Sequence, residues 1–140
     1  MTKKTLTAFT ASAMLWLGVS LLAANEKPTP AFVDQMKAAG AALQSIGKSA
    51  EAKNYDAIAA DAAKLKATFA EVGKFWTAKK VDTALAACGA TYKAAGELET
   101  AAKAKNDDGI AAARKSLGAG CQSCHTQHRE KTETGFDIKY

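Results

Sequence analysis

Apolar residues recur at intervals of three and four along most of this chain, and this spacing constrains its fold more than any other feature. The clearest run is Ile58, Ala62, Leu65, Phe69 and Val72. A period near 3.6 residues places such side chains on one face of an α-helix. Alanine and lysine are abundant, the only prolines are Pro28 and Pro30, and no stretch alternates with a period of two. The pattern therefore predicts an all-α protein.

Two helices are predicted in the first half of the chain. The first spans residues 30–46, with Pro30 in its first turn and Gly47 as its stop. Its apolar face is formed by Phe32, Met36, Ala39, Leu43 and Ile46. The second helix begins at Asn54, a residue type that caps helix N-termini, and either ends or loosens at Gly73.

Two more helices are predicted in the second half. The third starts near Val81 and closes at residues 105–107, which also cap the next helix. Its inward face is formed by Val81, Leu85, Cys88, Tyr92, Ala95 and Leu98. The fourth starts near Asp108 and runs past Arg129. Its inward face is formed by Ile110, Ala113, Leu117, Cys121 and Cys124.

Four amphipathic helices with short links bury their apolar faces most simply as an antiparallel four-helix bundle. A connection through Phe75 and Trp76 joins the second and third helices, and we expect Trp76 to plug one end of the bundle. The tail is polar apart from Phe136 and Ile138, and it either frays or lies across the bundle. We therefore expect a single domain, residues 25–140.

The first 24 residues are predicted to be a signal peptide. Lys3 and Lys4 form a positive start, residues 11–22 form an apolar run, and the small residues Ala23 and Ala24 precede a cleavage site. An uncleaved anchor helix is the alternative, although the run is short for a bilayer span. Cleavage implies export to the bacterial periplasm, and it leaves no expected membrane span in the mature chain.

The net charge does not indicate nucleic-acid binding. Two of the 19 basic residues lie in the first 24 positions, which leaves 17 basic and 14 acidic residues and a net charge of +3. The lysines are dispersed among acidic residues rather than gathered in a stripe. This distribution is typical of a solvated surface.

The sharpest motif is Cys121-Gln122-Ser123-Cys124-His125, the CxxCH spacing at which c-type haem is attached. Cysteines three residues apart project from one side of a helix, so that their sulfurs reach the two vinyl groups of the porphyrin. His125 follows Cys121 by four residues and returns to the same flank, where its imidazole reaches the iron. The motif predicts one haem c per chain, bound by Cys121 and Cys124, with His125 as an axial ligand.

Three other chemistries use the same residue types. A redox dithiol needs its first cysteine at a helix N-terminus, where the helix dipole lowers the thiol pKa, but this pair lies late in a helix. A disulfide within one helix closes a tiny loop and adds little stability. A zinc site would recruit Cys88 and His128 besides the motif cysteines, although three ligands on one helix surround a tetrahedral ion poorly.

Any second axial ligand must come from an earlier helix, because only 15 residues follow His125 and none is methionine. After cleavage Met36 is the only methionine, and the other histidine, His128, lies on the same helix as His125. Met36 lies on the inward face of the first helix and is followed by small residues, Ala39 and Gly40 among them. Met36 is therefore the candidate second ligand, with a core-filling methionine or a lysine ligand as the alternatives.

The chain resembles the cytochrome c prime family, including its low-spin members with a methionine ligand. The resemblance covers residues 31–131 in architecture and is sharpest at Cys121-x-x-Cys124-His125-x-x-His128-Arg129. Family members commonly carry a tyrosine or phenylalanine and then a basic residue at the last two of these positions, so that Arg129 fits the pattern and His128 departs from it. A second departure is Phe32, because family members often carry an arginine at that position. The resemblance implies a four-helix bundle with haem bound near the C-terminal helix, and it places the methionine ligand at Met36.

The expected function is that of a periplasmic one-electron carrier, because a haem bound on both faces exchanges electrons without binding a substrate. The alternative is a five-coordinate haem protein that binds nitric oxide or carbon monoxide, as high-spin family members do. No nucleophile with a base, phosphate loop or carboxylate pair indicates an enzyme, and a peroxidase would need a further histidine. Redox proteins are the expected partners, with small gas ligands and a homodimer as further possibilities.

Four other residues have competing interpretations. Arg129 follows His125 by four residues and either contacts a haem propionate or the axial imidazole, or is a solvated cation at a helix end. His128 is expected to contact a propionate or to be exposed. Cys88 and Tyr92 are both expected to pack in the core.

Overall fold

A computed structural model describes residues 25–140, and the predicted signal peptide lies outside the described residues. The chain forms four helices, α1 (Pro30–Glu51), α2 (Tyr55–Lys79), α3 (Asp82–Lys103) and α4 (Asp107–His128). Two antiparallel strands follow, β1 (Arg129–Thr132) and β2 (Gly135–Ile138). None of the described helices combines the length and the apolar character that a bilayer span requires.

The starts of α1, α2 and α4 follow from capping side chains. Thr29 accepts a hydrogen bond from the backbone N–H of Phe32, and Pro30 occupies the first position of α1. Asn54 and Asn106 accept the equivalent backbone bonds at the starts of α2 and α4. Each bond satisfies one of the N–H groups that a helix start leaves without a partner.

The first two helices end later than the sequence predicts. Gly47 and Gly73 lie inside α1 and α2, because the packing of an apolar face outweighs the roughly 1 kcal/mol that glycine costs within a helix. Phe75 and Trp76 therefore belong to α2 and not to a connection. The chain turns instead at three lysines in the left-handed conformation, Lys53 (φ 52°), Lys80 (φ 57°) and Lys105 (φ 52°).

The helices pack in chain order around one apolar core. α1 packs along α2, α2 along α3, and α3 along α4. Connections of two or three residues reverse the chain direction, so that consecutive helices run antiparallel. The prediction of four packed helices is confirmed. The largest side chains with almost no exposure are Trp76, Ile46, Ile58, Leu65, Leu98, Leu117 and Ile138.

α3 buries only part of its predicted inward face, namely Cys88, Ala95 and Leu98. Leu85 and Tyr92 are 37% and 43% exposed, so the prediction that Tyr92 packs in the core is wrong. α3 lies between α2 and α4, and small residues at its contacts let both neighbours approach closely. Cys88 is 4% exposed, which confirms its predicted burial. The buried residues of α3 are Ala84, Ala87, Cys88, Thr91, Ala94, Ala95, Leu98 and Ala102.

The C-terminal segment forms a β-hairpin, which the all-α prediction missed. α4 ends at His128, and Arg129 is the first residue of β1 rather than part of the helix. Ile138 is 1% exposed, and its backbone also pairs with that of Glu26 at the start of the described chain. The tail is therefore tied to the bundle through Ile138 and to the N-terminal segment, and it does not fray.

Candidate functional site

A largely apolar cavity of about 320 Å³ opens between α1 and α4. The backbones of these two helices hardly approach each other, in contrast to the three other pairs of neighbouring helices. All four helices and the hairpin contribute to its walls. The lining residues are Phe32, Val33, Met36, Lys37, Ala39, Gly40, Leu43, Phe69, Val72, Trp76, Cys88, Thr91, Gly120, Cys121, Cys124, His125, His128, Arg129, Phe136 and Ile138.

The CxxCH side chains form the α4 wall of this cavity. Cys121 and Cys124 are half-buried, and their thiols are free. His125 is exposed at the mouth, where it lines both the cavity and a neighbouring surface depression. The two thiols and the imidazole that the sequence singled out therefore open onto one space.

The local environment keeps these three groups neutral. Burial raises the pKa of the Cys121 thiol, and burial beside Cys121 raises the pKa of Cys124 to about 11. Such thiols stay protonated near pH 7, whereas a redox dithiol needs a lowered pKa. Partial burial and then the charge of Arg129 lower the pKa of His125. A neutral imidazole keeps the lone pair that a metal requires.

Met36 is half-buried on α1 and lines the same cavity as the motif side chains. The structure thus brings together the four residues that the sequence predicts to attach the haem or to bind its iron. Ala39 and Gly40 line the cavity beside Met36, and a Cβ atom added to Gly40 would meet no atom within 4 Å. Ala42, a further small residue of α1, is buried in the core. The α1 wall therefore has room for a flat ligand.

Arg129 lies next to His125, although it begins β1. Its backbone N–H donates to the carbonyl of His125, and its guanidinium lies 4.9 Å from the centre of the Phe136 ring. Arg129 and Lys37 are the permanently charged residues of the cavity wall, which includes no carboxylate. Neither cation has an ion-pair partner among residues 25–140. The cavity is therefore electropositive.

His128 is 7% exposed, so the expectation of an exposed side chain is wrong. Its Nδ1 donates to the carbonyl of Lys139 at 3.1 Å, and its Nε2 accepts from the Thr83 hydroxyl at 3.0 Å. The imidazole also lies 5.3 Å from the Trp76 ring. His128 thus joins α4 to α3 and to the end of the chain, and both of its ring nitrogens are occupied.

The described side chains do not form a metal site by themselves. Within residues 25–140 no three Cys, His, Asp or Glu side chains lie close enough to hold one ion. The zinc alternative also required His128, whose ring nitrogens are bound to Lys139 and Thr83.

Sequence reasoning missed two parts of the site. The hairpin contributes Phe136 and Ile138 to the cavity, and their alternation with Asp137 was a strand signal. Trp76 is buried near the end of α2, packs edge-on against the Tyr140 ring and also lines the cavity. Its place in the cavity wall is the less favoured sequence alternative, and it depends on α2 continuing past Gly73.

No protein-family model, curated protein or solved structure matches this chain. What the site does has therefore to be inferred from its own residues. Those residues are the CxxCH side chains, Met36, two unpaired cations and an apolar wall.

Gly120, the residue before Cys121, permits the close approach of α3 and α4 at the back of the cavity. A Cβ atom there would clash with the Thr91 hydroxyl, which donates to the carbonyl of Ala87, and would lie 3.4 Å from the Thr91 backbone nitrogen. We expect Gly120→Ala to lower the free energy of unfolding by about 1–3 kcal/mol, measured by chemical denaturation.

The matched control for this prediction is Gly118→Ala on the same helix. A Cβ atom at Gly118 would meet nothing within 4 Å, so the higher helix propensity of alanine should stabilise the protein by about 0.5–1 kcal/mol. Adding Thr91→Ala to Gly120→Ala should recover most of the loss. Equal effects of the two glycine substitutions would show that the contact with Thr91 is unimportant.

Proposed function

We propose that this protein is a mono-haem c-type cytochrome that carries single electrons in the periplasm. The observation that carries this proposal is that one apolar cavity is lined by the CxxCH side chains of α4 and by Met36 of α1. These residues supply two thiols, an imidazole and a thioether, the donor set that c-type cytochromes use for attachment and axial ligation. The resemblance to the cytochrome c prime family points to the same function.

The residues present fit a haem. The cavity volume of about 320 Å³ lies within the range of about 300–1,000 Å³ that is usual for small-molecule and cofactor sites. Its walls are mainly hydrocarbon, which suits a porphyrin face, and its cations Lys37 and Arg129 suit the two propionates. The open space at Gly40 adds room on the α1 side.

In this proposal each residue has a defined task. Cys121 and Cys124 would attach the macrocycle by adding their S–H groups across its two vinyl groups, while His125 of α4 and Met36 of α1 would supply the nitrogen and the sulfur that bind the iron. The bound haem supplies a one-electron iron couple, whose potential a thioether ligand raises. The apolar wall excludes water, and the hairpin residues Phe136 and Ile138 extend that wall.

One observation favours a second candidate function, the binding of nitric oxide or carbon monoxide. Apart from Met36, the side chains of the α1 wall are mostly hydrocarbon, and they include Phe32, Val33 and Leu43. If the Met36 thioether fills space without binding iron, Lys37 is the only other α1 residue of the cavity wall with a side-chain donor atom, and its ammonium group would have to lose a proton before it could bind iron. Such a site leaves a coordination position for a small gas.

Absorption spectra of the purified ferric and ferrous protein, with and without carbon monoxide, separate the two functions. An electron carrier with both axial positions filled should be low-spin in both oxidation states and should bind carbon monoxide poorly. A gas-binding protein should be high-spin and should bind carbon monoxide at once. A protein isolated from the periplasm without haem absorbance would contradict both.

We also propose that residues 1–24 direct export and that acceptor and donor redox proteins are the physiological partners. Covalent haem attachment of this type takes place in the periplasm, which agrees with a cleaved signal. We expect the mature chain to begin at or near Asn25, as measured by N-terminal mass analysis. An intact Met1 in a membrane fraction would indicate an anchored carrier.

A further inference from the structure

One stripe of residues on the outer surface of α3 is open to solvent along most of its length. Its members recur at alternating intervals of three and four residues, which is the spacing of the contact seam between two packed helices. The first four members are exposed and the last two are half-buried. This α3 stripe consists of Asp82, Leu85, Gly89, Tyr92, Gly96 and Glu99.

The α3 stripe includes two of the three large hydrophobic side chains that are exposed in residues 25–140. These two are Leu85 and Tyr92, which are 37% and 43% exposed. The third is Tyr140, whose hydroxyl donates a hydrogen bond to the carboxylate of Glu26 within the same chain. Large apolar side chains that are clustered on a surface, rather than scattered singly, indicate a site of interaction.

Each large apolar residue of the α3 stripe is followed by a glycine. A Cβ atom added to Gly89 would meet no atom within 4 Å, and one added to Gly96 would meet only side-chain carbons of Lys66, at 3.9 Å. The surface therefore has a shallow depression at each glycine and a protrusion at Leu85 and at Tyr92. Protrusions and depressions alternate along the helix.

This alternation is complementary to itself. If the α3 helices of two copies pack antiparallel, about a twofold axis midway between Gly89 and Tyr92, then Tyr92 of each copy lies over Gly89 of the other. The same axis places Leu85 of each copy over Gly96 of the other. A twofold interface requires a surface that fits itself in this way, and large residues that face small ones let two helices approach closely.

The ends of the α3 stripe are complementary in charge about the same axis, which places Asp82 of one copy opposite Glu99 of the other. Glu99 is paired with two lysines, Lys66 at 3.1 Å and Lys103 at 2.6 Å. Two positive charges and one negative charge give this group a net charge of +1. Asp82 has no ion-pair partner among residues 25–140. Its carboxylate would therefore meet a positive group, once at each end of the interface.

We propose that this protein forms a twofold homodimer through the α3 stripe, with the two α3 helices antiparallel. The stripe borders α2, since Lys66 of α2 lies beside Gly96 and Glu99. The cavity opens between α1 and α4, on another side of the bundle. The dimer thus leaves both cavities accessible, and its formation goes beyond the proposed function and does not depend on haem.

Sedimentation velocity of the purified protein over a range of concentrations measures this association. We expect a dimer with a dissociation constant of about 1–100 µM, as is usual for a small interface. Gly89→Leu should raise this constant at least about tenfold, because the new side chain fills the depression that receives Tyr92. The monomer should tolerate the substitution, since Gly89 has open space around it and leucine has the higher helix propensity.

The matched control is Gly118→Leu on α4. A Cβ atom at Gly118 also meets no atom within 4 Å, but Gly118 lies outside the α3 stripe, so the dissociation constant should not change. Combining Gly89→Leu with Tyr92→Ala exchanges the protrusion and the depression, and the double variant should recover most of the lost affinity. Asp82→Asn should weaken the dimer about fivefold at low salt and less at high salt.

Three results would overturn the proposal. A wild-type protein that is still monomeric at about 0.5 mM has an α3 stripe that does not bind a second copy, which leaves the stripe to a different molecule. A dimer that Gly89→Leu leaves unchanged, or that Gly118→Leu weakens equally, uses another surface. A double variant that is no tighter than Gly89→Leu alone contradicts the contact between Tyr92 and Gly89.

Discussion

Replacing both Cys121 and Cys124 with serine should leave a protein that retains no haem after extraction with acidified acetone. Each thiol supplies one of the two thioether links, and both line the cavity in the structure. We expect each single variant to lose most of its covalent haem and the double variant to lose all of it. Absorbance of the protein and organic phases measures the distribution of haem.

The matched control is Cys88→Ser. Cys88 is also a free thiol on the cavity wall, but it lies outside the motif, and its Sγ donates to the carbonyl of Phe69. A serine hydroxyl can make the same bond, so we expect this variant to retain its covalent haem fully. If Cys88→Ser loses haem, or if the double variant keeps it covalently, attachment does not follow the CxxCH motif.

Replacing Met36 with alanine should convert the iron from low-spin to high-spin. The substitution removes the only thioether in residues 25–140 and leaves a hydrocarbon wall on the α1 side of the cavity. The midpoint potential should fall, since a methionine ligand raises it. Carbon monoxide should bind the ferrous protein at least about tenfold more tightly, because it no longer has to displace the Met36 thioether. Each 1.4 kcal/mol of binding free energy gained in this way corresponds to a tenfold change in affinity.

Val33→Ala is the matched control for Met36→Ala. Val33 lines the same cavity from the same helix, and its truncation removes hydrocarbon without removing an atom that could bind iron. We expect its spin state and potential to match those of the wild-type protein. A wild-type protein that is already high-spin, binds carbon monoxide readily and keeps its coordination number in Met36→Ala would instead establish the gas-binding function.

Apolar spacing predicts the number of helices well and their ends poorly. The stripe from Ile58 to Val72 is buried as expected, because one periodic face meets one core. Gly47 and Gly73 failed as stops, since tertiary packing overrides a local preference of about 1 kcal/mol. The left-handed lysines Lys53 and Lys80 follow the actual ends of these two helices, a conformation that residue type alone would not assign to lysine.

The central helix and the tail show what spacing alone misses. α3 contacts two neighbours, so its buried face is set by small residues such as Ala84 and Ala87, while Leu85 and Tyr92 lie at its exposed edge. The hairpin depends on contacts of Ile138 with the bundle and with Glu26, which are distant in sequence. Alternation over only the three residues 136–138 is too short a strand signal to outweigh the helical pattern of the rest of the chain.

The candidate site could be predicted from the sequence where the chemistry of haem attachment fixes the spacing of the residues. The CxxCH motif and the elimination of other ligands identified the α4 residues and Met36, and the structure places all of them on one cavity. Arg129 was predicted beside His125 and lies there, although in a strand. The α3 stripe was not predictable, because the face that α3 leaves exposed is defined only by its neighbours in three dimensions.

The most direct test of a covalent haem is the intact mass of the protein purified from the periplasm, combined with its pyridine haemochrome spectrum. We predict a mass equal to that of the chain from Asn25 to Tyr140 plus one haem, and a haemochrome spectrum typical of two thioether links. A mass equal to that of the bare polypeptide, or haem that leaves the chain on denaturation, would contradict the assignment of this protein as a c-type cytochrome.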